Sequence, residues 1–241
     1  MWAAAFFGAA SAITLLVGAL IAYAMRPAPR LTAAIMALGS GLLIGSVAFD
    51  LVGEATDALG IIAASVTLMA GAGVFVLGSR LIERAGARQR KHPQPTAEGN
   101  PKAMVLGSVL DGVPESFVLG LSVLQGAVSA PLLIGISLSN LPEGMASSSG
   151  LRQQGWTLRR TVGLWSLVVL TSAVSAVVGH EVLANDDGTV SAIARMFAAG
   201  ALLAMITDTM VPEAYAVERT WTGGLVVAGF ALSLIIAAVL G

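Results

Sequence analysis

The feature that most constrains this chain is a succession of eight apolar runs, at roughly 2–24, 31–53, 59–80, 103–124, 131–151, 161–183, 189–211 and 222–240, each about long enough to cross a bilayer. They take up nearly all of its 241 residues, leaving no room for a separate soluble domain. Hydrophobic residues make up 56% of the chain and charged residues only 11%, so the expected fold is an all-α polytopic membrane protein with eight transmembrane helices. Cysteine is absent, which excludes disulfides and thiolate metal ligands.

Charge follows the same division. Of the 13 Lys and Arg, Arg26 and Arg30 fall in the first connection and Arg80, Arg84, Arg88, Arg90, Lys91 and Lys102 in or beside the third. Arg152, Arg159 and Arg160 fall in the fifth and Arg219 in the seventh, so only Arg195, inside the seventh run, stands apart. Basic residues concentrate in cytoplasmic connections, so both termini are expected outside. The N-terminal run has its first positive charges after it rather than before it, the reverse of a cleaved signal, and reads as a first span. The opposite connections carry Glu54, Asp57, Glu181, Asp186 and Asp187 with no Lys or Arg, an acidic outer face that either concentrates cations or is simply solvated. The long third connection, about 82–101, reads as a flexible basic loop in which His92 alone makes a poor metal trap.

Two runs contain carboxylates. Asp111-Gly112-Val113-Pro114-Glu115 lies within the fourth and Ser139-Asn140-Leu141-Pro142-Glu143-Gly144 within the fifth, and Pro-Glu recurs on two spans that must run in opposite directions. A charged side chain near a bilayer centre costs roughly 3 kcal/mol, so three acids need about 8–10 kcal/mol of compensation, which a bound cation supplies. Each proline also removes a backbone donor and frees a carbonyl oxygen. At 1.5 Å per residue, Asp111 lies ~12 Å and Glu115 ~18 Å from the cytoplasmic edge, on one helix face. Glu143 counts to the level of Asp111, with Ser139 and Asn140 nearer Glu115. These oxygens are expected to converge between the two helices, the alternative being protonated or hydrogen-bonded acids that serve packing. The many glycines, including Gly41, Gly45, Gly71, Gly73, Gly107, Gly112 and Gly120, are expected to let helices pack closely.

These motifs, with eight spans, outward termini and a long basic third connection, resemble the ZIP (Zrt/Irt-like) metal transporters over nearly the whole chain. The family's fourth-span and fifth-span motifs run His-Asn-x-Pro-Glu-Gly; here Asp111 stands where the first His does, and Ser139 where the second does. Asp50-Leu51-Val52-Gly53-Glu54-Ala55 and Asp208-Thr209-Met210-Val211-Pro212-Glu213-Ala214 resemble the family's span ends. They leave Asp50 and Asp208 as candidate vestibule ligands and Glu54 and Glu213 as interfacial acids. The resemblance implies uptake toward the cytoplasm by a homodimer, with spans one, four, five and six moving as a unit against two, three, seven and eight.

The departures from the family pattern bear on the metal. The family's second metal uses an Asn where this chain has Gly112 and a Glu in the sixth span, where Ala173 falls; His180 lies at that span's outer end. The expected site is then all oxygen: Asp111, Glu115, Ser139, Asn140 and Glu143, with Asp50 and Asp208 further out. Hard ligands of this kind suit Mn²⁺, Fe²⁺, Mg²⁺ or Ca²⁺, although Zn²⁺ also accepts carboxylates. Met145 beside the site reads as packing.

The function expected is therefore inner-membrane transport of a divalent metal, with no enzymatic activity and no cofactor beyond the transported ion. The partners are the metal, the lipid bilayer and a second copy of the chain, with no nucleic acid. The inward-negative potential drives entry by ~2.3 kcal/mol per charge per 100 mV, so no nucleotide site is required. The rivals are a non-transporting metal sensor or scaffold of the same fold and, remotely, an intramembrane aspartyl protease using Asp111 and Asp208.

Overall fold

The computed structural model describes residues 1–25, 27–82, 84, 101–124, 128–182 and 188–240. The long basic connection with His92, and the acidic pair Asp186 and Asp187, lie outside the described residues, as does the side chain of Glu54.

Eight long helical stretches follow one another. They are α1 (Trp2–Met25), α2 (Pro29–Ser46) continuing through a π-helical segment (Val47–Val52) into α3 (Gly53–Leu59), α4 (Ile61–Ile82) and α5 (Pro101–Leu124). Then come α6 (Ala130–Gln153), α7 (Leu158–Val182), α8 (Thr189–Met205) continuing through a second π-helical segment (Ile206–Met210) into α9 (Val211–Glu218), and α10 (Thr222–Leu240). Seven of the eight stretches are long and apolar enough to cross a membrane, which makes this a multi-pass membrane protein.

The exception is α6, which carries Ser139, Asn140, Glu143, Ser147 and Ser148 and is the least lipid-like stretch. It also has 15 of its 24 residues buried. Polar side chains are costly against lipid, so the most polar helix is the one surrounded by the others. Two of the most apolar helices behave in the opposite way: only 17% of the α4 and α10 spans is buried.

The second and seventh spans run further than their expected ends near 53 and 211. A π-helical turn accommodates one additional residue without breaking the backbone ladder, so each helix continues past its aspartate. The second stretch stops at Gly60, whose φ of 76° lies in the left-handed region and whose N–H bonds to the Thr56 carbonyl. Asp57 therefore sits on helix α3 and not in an open connection.

The helices pack in two groups. In one, α1 lies against α5, α6 and α7, and α5 against α7; in the other, α2 lies against α10 and α9, and α4 and α3 against α8. The main contacts between them are α2 with α6 and α5 with α8.

Within each group the backbones touch at reciprocal glycines: Gly18 and Gly144 for α1–α6, Gly120 and Gly179 for α5–α7, Gly41 and Gly229 for α2–α10, Gly71 and Gly200 for α4–α8. A Cβ added at any of them would lie 1.9–2.4 Å from a carbonyl oxygen of the facing helix. Packing is thus the role of most of the glycines singled out in the sequence. Gly73, with nothing near its would-be Cβ, is not among them.

Contacts between helix ends follow the alternation read from the charges. At one end, Tyr23 Oη donates to the Trp156 carbonyl (2.7 Å), while Arg152 donates to the carbonyls of Ala22 (3.2 Å) and Tyr23 (3.0 Å). This joins the end of α1 to the α6–α7 connection. At the opposite end, Asp50 meets Ser129, and Met1 lies 3.7 Å from Glu181.

Candidate functional site

The candidate site is built on the facing parts of α5 and α6, both of which continue as helices through their prolines. Pro114 and Pro142 lack the N–H that would bond the carbonyls of Leu110 and Leu138. Beside Pro114, the Val113 carbonyl accepts a bond from Ser175 of α7 at 2.9 Å. Asp111, Glu115 and Glu143 are all buried, none more than 3% exposed. Burial of this depth is rare for acids and sets them apart from the chain's surface carboxylates.

Glu143 Oε1 accepts a hydrogen bond of 2.6 Å from Ser108 Oγ, linking α6 to α5. Ser108, Asp111 and Glu115 are spaced i, i+3, i+7 and share one face of α5, so Glu143 meets the acid-bearing face. The contact also corrects the expected depth. Glu143 bonds three residues before Asp111, about one helical turn nearer the start of α5 than the count along the sequence placed it. Ser108 was not among the residues expected in the site, although its spacing from Asp111 carried the signal.

Other expected ligands are engaged elsewhere. Asn140 Nδ2 donates to the Ser11 carbonyl of α1 at 3.2 Å, and Ser139 Oγ donates to the Ile136 carbonyl of its own helix at 2.9 Å. Both remain buried beside the site, one bracing α1 and the other backed by Gly39 of α2. Met145 is buried in packing, as expected. Trp165 Nε1 donates to Ser148 Oγ at 2.8 Å and ties α7 to the same helix.

Asp50 and Asp208 occupy matching places, each within a π-helical segment. Their surroundings differ. Asp50 is partly buried and accepts a hydrogen bond from Ser129 Oγ, and the same hydroxyl oxygen caps α6 by accepting from Leu132 N at 3.2 Å. This puts Asp50 at the start of α6, about 20 Å along the helix from Glu143. Asp208 is exposed, and it differs in this from Asp111, the other half of the hypothetical protease dyad. His180, expected at an interface, bonds its neighbour Glu181 (3.0 Å) at the end of α7.

Where the resemblance would put a second metal, the structure has small neutral groups. A Cβ on Gly112 would lie 3.5 Å from Ser172 Oγ, and Ala173 is against Gly8 of α1. Among the described residues, no group of three or more His, Asp or Glu is gathered closely enough to hold a metal ion. The three acids are therefore buried along one interface without forming a closed cage. No protein-family model matches the chain, and no curated protein matches it.

Proposed function

We propose that this protein is a divalent-cation transporter of ZIP-like fold, moving metal across the inner membrane toward the cytoplasm by alternating access. The observation that carries the reading is the burial of Asp111, Glu115 and Glu143 on the facing helices α5 and α6 of a membrane protein. Charged carboxylates there need a counter-charge, and a dication in transit is one that comes and goes. Reciprocal glycine contacts inside each helix group support movement of α1, α5, α6 and α7 as one body against the rest. In this reading both termini are outside, the protein is a homodimer, and Asp50 and Asp208 serve the outer vestibule. With Gly112 and Ala173 neutral where a second metal would need ligands, the reading calls for one dication per protomer and not two.

The test is uptake of a panel of Mn²⁺, Fe²⁺, Zn²⁺, Mg²⁺ and Ca²⁺ into proteoliposomes. Glu143→Ala and Glu115→Ala are expected to lower kcat/KM by more than about 100-fold while leaving folded protein in the membrane. Normal transport by both would place the site elsewhere. Uptake should weaken as pH falls, because protons and metal compete for the same carboxylate oxygens. Sidedness is checked in this Cys-free chain by Gln153→Cys and Glu181→Cys, which should label from the cytoplasmic and outer sides respectively; labelling from one side would overturn the topology.

A second reading, a non-transporting metal sensor, draws on the missing motif histidines and the neutral Gly112 and Ala173 at the second-metal position. Saturable metal binding without uptake would favour it.

A further inference from the structure

Ser108 differs from several other buried serines. Ser40, Ser46, Ser122 and Ser139 each donate to a carbonyl three or four residues back on their own helix. Ser108 instead donates across the helix interface to a carboxylate, at 2.6 Å, with only 4% of its own surface exposed. It shares its helix face with Asp111 and Glu115. Its hydroxyl thus lies between two helices that each contribute buried acids.

A hydroxyl has one donor and two acceptor lone pairs, and its hydrogen is free to rotate. The Ser108 hydroxyl donates to Glu143 and orients that carboxylate. With its hydrogen turned away, the same oxygen and Glu143 Oε1 form a two-oxygen edge. Octahedral Mg²⁺ with bonds of about 2.1 Å has neighbouring ligand oxygens about 3.0 Å apart, so a widening of a few tenths of an ångström converts the pair. Seven-coordinate Ca²⁺, with bonds of about 2.4 Å and neighbouring equatorial ligands about 72° apart, has an edge of about 2.8 Å, so the pair suits hard cations of either size.

We propose that Ser108 is a cation-binding and selectivity-determining residue, forming with Glu143 the oxygen pair that receives a hard divalent cation such as Mg²⁺, Mn²⁺ or Ca²⁺ in preference to a soft one. This rests on the cation-transport reading above. It adds a ligand on α5 and narrows the substrate class to cations that favour oxygen over nitrogen or sulfur.

The test is uptake of Mn²⁺ and of Cd²⁺ by the full chain in proteoliposomes, with KM and kcat measured separately. Ser108→Ala is expected to raise the KM for Mn²⁺ about tenfold with little change in kcat, and Ser108→Thr, which keeps the hydroxyl, to restore it. Ser108→Cys supplies a soft ligand in a chain that has none, and is expected to shift the ratio of kcat/KM toward Cd²⁺ by tenfold or more. If Ser108→Ala does not fold, the Thr and Cys variants carry the test. A purely structural serine would change the yield or scale both cations together. An unchanged Mn²⁺ to Cd²⁺ ratio in Ser108→Cys would overturn the proposal. Glu143→Gln is run beside these variants: if it abolishes uptake while the Ser108 variants leave KM and selectivity alone, only this inference fails. If Glu143→Gln transports normally, the site lies elsewhere and the inference falls; if the unaltered chain moves no cation, the transport reading fails and takes the inference with it.

Discussion

The contacts inside the two helix groups differ in kind from those between them. Inside a group, backbones meet at reciprocal glycines, with no space for even a methyl group: a Cβ on Gly144 would lie 2.3 Å from the Leu15 carbonyl oxygen, and one on Gly229 2.0 Å from that of Leu38. Between the groups, α2 meets α6 less tightly, a Cβ on Gly39 coming to 3.1 Å from Ser139 N and one on Gly135 to 3.1 Å from a Leu43 methyl. Close backbone contact gathers dispersion energy along whole helices and resists sliding. The looser contact adjoins the helix that carries Glu143, so the interface best able to shift lies beside that buried acid.

The sharpest way to break this contrast is to enlarge the glycines inside the groups. Gly144→Val and Gly229→Val are each expected to cost about 3 kcal/mol or more, since the facing atom is backbone and cannot move aside. Size-exclusion profiles of the detergent-purified variants should show little monodisperse protein; normal profiles would mean that the groups are not locked. Gly39→Ala, at the interface between groups, is expected to cost about 1 kcal/mol or less and to show its main effect as slower uptake at saturating cation. If it instead destabilises as much as Gly144→Val, the two kinds of interface are equivalent.

Ser129→Ala removes both the bond to Asp50 and the cap on Leu132, a link from α2 to α6 across the groups. A loss of about 1 kcal/mol is expected in thermal unfolding in detergent. The Asp50→Asn variant retains the cap and should lose less. The smallest effect is expected at Gly73, where a Cβ meets nothing within 4 Å. There Gly73→Ala should be neutral or stabilising by up to about 1 kcal/mol, and it serves as the control for the others.

Much of the architecture can be read from the chain because a bilayer allows few solutions. Backbone polar groups must be satisfied within each span, so apolar runs of this length become helices, the fifth among them although its serines make it the least apolar. Burial of Asp111, Glu115 and Glu143 follows from the same cost, since carboxylates in lipid-facing positions would not be tolerated. The relative depth of Glu143 could not be read as well. Counting from uncertain span ends accumulates an error of several residues, and the structure shifts it by about a turn to Ser108.

What the sequence determined by itself, then, is the set of helices, their alternation, and the presence of acids inside two of them; these depend on local composition and on the cost of exposing polar groups to lipid. Only the tertiary structure decided which helices pair, that Ser108 faces Glu143, that Asn140 is engaged with α1, and that Asp50 is tied to Ser129 while Asp208 is exposed. Each of these depends on the rotation and axial offset of one helix against another. Side-chain contacts between helices set both quantities, and the π-helical turns in the second and seventh stretches alter them by changing which face each aspartate occupies.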